Sequence, residues 1–135
     1  MAKIKSYSDL QQSKKLAEIL PPESADMCYI LHATSDNLDW RFDDDVPPMV
    51  LGETPINKLT VKALPCWSLE ALLYIMPKHI KDYNVLRLDI SDNDFAIWYD
   101  KVGYGVNNEL PNITKEYAVD ACYEMILKLH ELKML

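Results

Sequence analysis

NVLRLDISDNDFAIWYD, Asn84–Asp100, is the stretch on which the fold turns. Two alternating runs flank Ser91–Asp94, a tetrapeptide made of residue types that favour turns. Alternation puts Leu86, Leu88 and Ile90 on one face with Phe95, Ile97 and Tyr99. Arg87, Asp89 and Trp98 point the other way, so the stretch predicts a hairpin with one buried and one largely polar face. Asp89, Ser91, Asn93 and Asp100 also follow calcium-loop spacing, but Asp94 stands where that loop needs glycine, and no helices flank it. The hairpin is the better account.

Downstream, Gly103 and Gly105 permit another turn, and Tyr104–Asn107 is expected to add a third strand. A last helix is predicted over 116–133, with Thr114 as one candidate cap. Its apolar stripe is Val119, Cys122, Tyr123, Ile126, Leu129 and Leu132, with Asp120, Glu124, Lys128 and Glu131 on the wet side. Upstream, LPCWSLEALLYIMP (64–77) predicts a helix capped by Ser68 and stopped by Pro77. Leu69, Leu72, Leu73 and Met76 form its buried stripe.

Before that, Lys58–Leu64 reads as a short strand ended by Pro65, and Ala25–Ala33 as a strand covered on both faces. Residues 34–57 lose periodicity to Asp and Pro. They form a long irregular excursion with at most one edge strand, at MVL (49–51). The first helix follows Ser8, which with Gln11 fits a capping box, and Pro21 and Pro22 end it. Helix, strand, excursion, strand, helix, hairpin and helix together predict one α+β domain over 1–135. An antiparallel sheet of three to five strands is expected, with about three helices massed mostly on one face.

Bulk properties bound the function. The chain has 135 residues, enough for a core without disulfides, and its 49% apolar content argues against disorder. A formal charge of −7 opposes the basic face that nucleic-acid binding needs, so no nucleic-acid partner is expected. The amino-terminal run carries no signal-peptide core, and no apolar run approaches a membrane span. Cys28, Cys66 and Cys122 are widely spaced and odd in number, which fits free thiols in a reducing cytoplasm.

Chemical candidates are few. Cys66 at a helix start is a candidate nucleophile if His32, His79 or His130 served as base, which would make a small hydrolase or transferase. Trp67 beside it, with Leu64 before Pro65, reads instead as a hydrophobic staple that seats the helix. Zinc would need paired ligands such as C-x-x-C, and none occurs. With three glycines in all, phosphate-cradling loops have no material, and the common nucleotide and hydrolase motifs are missing. The expected cofactor is none. What stands out is Asp43, Asp44 and Asp45 beside Trp40 and Phe42. With outward-facing Trp98, these make an expected interaction surface for another protein or a second copy of the chain. A charge mimic of DNA is a further alternative.

Three blocks carry a resemblance: YSDLQQSKKLAEILPPESADM (7–27), LPCWSLEALLYIMP (64–77) and VDACYEMILKLHELKML (119–135). They resemble a group of short uncharacterised proteins in gut bacteria and in their prophages or other mobile elements. The resemblance implies a cytoplasmic accessory protein linked to such elements and transfers no activity and no site residues.

Overall fold

Asp9, rather than Ser8, begins the first helix. Its carboxylate accepts the Gln12 backbone N–H at 2.8 Å while the Gln12 side chain accepts the Asp9 N–H at 3.1 Å, so the capping box sits one residue later than expected. The shift frees Ser8 for the interior, where it is fully buried. The computed structural model describes residues 4–33, 40–43, 45–80, 83–101 and 110–135. Within these the chain is an α+β fold with three α-helices and two three-stranded antiparallel sheets. The helices are α1 (Leu10–Ile19), α2 (Leu69–Ile75) and α3 (Ala118–Glu131). No helix among the described residues is long and apolar enough to cross a membrane.

The chain divides into two compact units, Ser6–Ala71 and Met1–Lys5 with Leu72–Leu135. In Ser6–Ala71 the sheet order is β4 (Met49–Val50), β1 (Met27–Ile30), β5 (Ala63–Cys66). A separate two-stranded ladder pairs β2 (His32–Ala33) with β3 (Trp40–Arg41). The excursion therefore holds two short strands, not one, as well as a 3₁₀ turn at Ile56–Lys58.

β5 also runs through Pro65 instead of stopping at it. Leu31 N–H bonds to Lys62 O at 3.0 Å, and Cys28 lies opposite Pro65. Antiparallel bonding alternates, so the proline falls at a position whose backbone points away from β1, and its missing N–H removes no rung. Gly52 follows β4 at φ 61°, where a side chain would be strained, and lets the chain turn back. α1 packs on β5 through Leu10, Ser13 and Leu16. Ser68 caps α2 as expected, its hydroxyl accepting the Ala71 N–H at 3.1 Å. Asp26 holds Ser68 in place by accepting its backbone N–H at 2.9 Å.

In the other unit the order is β6 (Tyr83–Ile90), β7 (Phe95–Lys101), β8 (Ile113–Lys115). The hairpin register matches the alternation: Leu86 faces Tyr99, Leu88 faces Ile97 and Ile90 faces Phe95. Burial differs between its strands. Phe95, Ile97 and Tyr99 are buried, whereas Leu88 is 45% and Ile90 78% exposed. α3 packs on β7 and β8, leaving the end of β6 uncovered.

The third strand is Ile113–Lys115, a segment read in sequence as loop and helix start; Tyr104–Asn107 lies outside the described residues. Thr114 consequently lies in β8, and α3 starts after Tyr117 without a side-chain cap. The core joins Phe95, Ile97, Tyr99 and Ile113 to Val119, Cys122, Met125, Ile126 and Leu129. Lys5 Nζ lies 2.6 Å from Asp120 Oδ1 and ties the chain start to α3.

Candidate functional site

Cys66 ends a strand rather than opening a helix, and its surroundings are sealed. The thiol donates to Ser8 O at 3.3 Å and accepts from Ser8 Oγ at 3.6 Å. Ser8 Oγ also accepts the Trp67 N–H at 3.1 Å and lies 2.8 Å from Ser13 Oγ, while Tyr29 OH donates to Ser8 O at 2.9 Å. Cys66, Ser8 and Ser13 are all fully buried. Among the described residues no buried side-chain nitrogen or oxygen lacks a partner. This is a closed polar knot inside an apolar wall, the form in which buried polar groups are tolerated.

Burial pushes the Cys66 thiol up to about 11, against the smaller opposing effect of its hydroxyl neighbours. A nucleophile needs the thiolate, which this environment disfavours. Removing Ser8 Oγ strands the buried Trp67 N–H, while the Ser13 hydroxyl keeps the Ser8 carbonyl as acceptor, so Ser8→Ala is expected to destabilise by about 1–3 kcal/mol in urea denaturation.

Burial also pushes Cys122 up, to about 12. A thiol held neutral in the fold and ionised when unfolded contributes stability below its ordinary 9.0 and loses it as pH rises toward the folded value. Stability should therefore fall above pH 9, by at most about 1.4 kcal/mol per pH unit for each thiol. Cys66→Ala is expected to flatten that limb between pH 9 and 11, as read by urea midpoints at successive pH. An unchanged limb would assign the alkaline loss to other groups.

The residues expected to form an interaction surface fall into two units. Trp40, Asp43 and Asp45 belong to Ser6–Ala71, and Trp98 belongs to the other. Asp44 lies outside the described residues, and Trp40 is placed by its backbone alone, in β3. Asp43 shapes a turn: its carboxylate accepts the Asp45 N–H at 2.9 Å and its carbonyl accepts the Val46 N–H at 3.1 Å. That turn leads into Val46, 44% exposed, then Met49 at 41% and Val50 at 70%. Met49 and Val50 read in sequence as a possible edge strand, but neither they nor Val46 read as a contact surface. The available signal was Pro47–Pro48, which confines β4 to a short edge.

Trp98 is half-buried on the sheet face opposite the core. Its indole N–H donates to Asp100 Oδ1 at 2.9 Å, and Arg87 Nε donates to Asp100 Oδ2 at 2.7 Å. These two hydrogen bonds, the Arg87 one foremost, hold the exposed Asp100 carboxyl below its usual range. An open groove of about 590 Å³ lies between β8 and α3. Its charges are paired, Lys115 with Glu124 at 3.1 Å and Lys128 with Glu131 at 3.7 Å, and it is lined by no cysteine or histidine. Among the described residues no three His, Cys, Asp or Glu side chains gather as a metal site.

Compared with protein-family models, curated proteins and solved structures, the chain matches none.

Proposed function

We propose that this chain is a non-enzymatic accessory protein of the cytoplasm, linked to phages or other mobile elements, that works by binding another protein. The observation carrying this reading is the exposure of Met49 and Val50 on the edge strand β4, with exposed Val46 before it in the turn that begins at Asp43. Exposed apolar groups with polar neighbours are the usual mark of a contact surface. The sealed Cys66 thiol counts against the cysteine-dependent hydrolase, because its ionised form is disfavoured where it sits.

A photo-crosslinking residue at Met49, in cells that make the protein, should give a discrete heavier adduct. The same residue at exposed Glu70 serves as control. Equal labelling from both positions would remove the binding reading.

A further inference from the structure

We propose that the outer edge of β4 receives an extended, Lys- or Arg-bearing segment of a partner protein as an added strand. The inference rests on the binding reading above and names the partner's chemistry and pose. β4 is the edge of its sheet, with Met27 opposite Val50 and Cys28 opposite Met49. Leu51 N–H bonds to Asp26 O at 3.0 Å, which fixes the phase of the ladder. Alternation then turns the backbone groups of Met49 and Leu51 toward β1 and those of Val50 outward. Among the described residues no strand pairs with that side. The edge thus offers an N–H, a carbonyl and a 70% exposed isopropyl group at one residue, the elements that strand addition uses.

Charge selects the occupant. Residues 43–53 contain Asp43, Asp44, Asp45 and Glu53 and no lysine or arginine. Three residues of extended chain span at most about 10 Å and five about 17 Å, so Glu53 and Asp45 lie within those distances of Val50. Edge strands are commonly guarded by lysine; this one carries acid instead. A second copy would oppose four carboxylates with four more, and nucleic acid would be repelled likewise. A basic strand with alternating apolar residues meets attraction on both counts. Pro47 and Pro48 keep the added ladder short, which fits reversible binding.

The probe is a fluorescein-labelled Lys-Val-Lys-Val-Lys-Val-Lys peptide, titrated against the full chain by anisotropy at low and at 0.3 M salt. Saturable binding that weakens with salt is expected, and the same peptide with Glu for Lys should not bind. Asp43→Asn with Asp45→Asn should weaken it roughly tenfold. Val50→Pro, which deletes the outward N–H and exchanges the exposed isopropyl group for a ring while leaving the rungs to β1 in place, should weaken it about three- to tenfold. A peptide N-methylated along one edge tests the reciprocal bond, from the peptide N–H to the outward Val50 carbonyl, without altering the protein, and it should bind correspondingly less.

Equal binding of the methylated peptide, or of the Glu peptide, would overturn the proposal. So would sedimentation showing a dimer that Val50→Pro dissociates, since a second copy would then hold the edge. A Met49 adduct in cells that survives both Val50→Pro and the Asp substitutions would keep the binding reading while sinking this pose.

Discussion

Trp67→Ala is expected to destabilise the chain by about 3–5 kcal/mol, the range for emptying a large buried aromatic site. Trp67 is fully buried, and its indole N–H donates to Ser24 Oγ at 3.0 Å. Its backbone joins the chain start to the end of β5, through Ser8 N–H to Trp67 O at 2.9 Å and Trp67 N–H to Ser8 Oγ. The substitution keeps those backbone bonds but removes the ring that excludes water from them. Marginal stability makes a loss of this size a large share of the total. Urea denaturation followed by far-UV circular dichroism provides the measure. A loss below about 1 kcal/mol would mean that the site collapses or hydrates at little cost.

Ile97→Ala should lose about 2–5 kcal/mol, and Ile97→Val about 0.5–1.5 kcal/mol. Ile97 is fully buried on the central strand β7, flanked in register by Leu88 and Ile113. α3 packs on the same strand, so a void here has several walls. The graded pair separates a packing defect from a general weakening of the strand. The two sites also lie in different units, and the division between units falls inside α2, after Ala71. Urea denaturation of both variants tests whether the two substitutions move one shared transition. Two transitions, each moved by one substitution only, would show that the units melt independently.

Much of the fold was legible because long periodic segments state their partners in their spacing. The parity of the hairpin and the stripe of α3 are of that kind: 86, 88 and 90 do oppose 99, 97 and 95. Burial of that face was less legible. It depends on where α3 lies, and α3 covers β7 and β8 rather than the end of β6. Short elements fared worse. β8 has three residues, too few to show a period, and Thr114 reads as a cap until its pairing with Ala96 is known.

At the start of α1, Ser8 and Asp9 are both good caps. Only tertiary packing, which draws Ser8 against Cys66 and Ser13, decides between them. Pro65 read as a stop because sequence does not reveal which side of the strand carries the next rung. The acids at Asp43–Asp45 were plain as charge. The exposure of Met49 and Val50 was not, since it follows from β4 standing last in its sheet.

The three cysteines are all unpaired and buried, two in one unit and one in the other. Each becomes available to a bulky thiol reagent only when the structure around it opens. The chain therefore carries its own stopwatches: the rates at which reagent mass is added at Cys28, Cys66 and Cys122 time local breathing at three named places. Peptide mapping of the first-labelled molecules would tell whether the sheet holding the acidic edge or the helix-covered hairpin yields first.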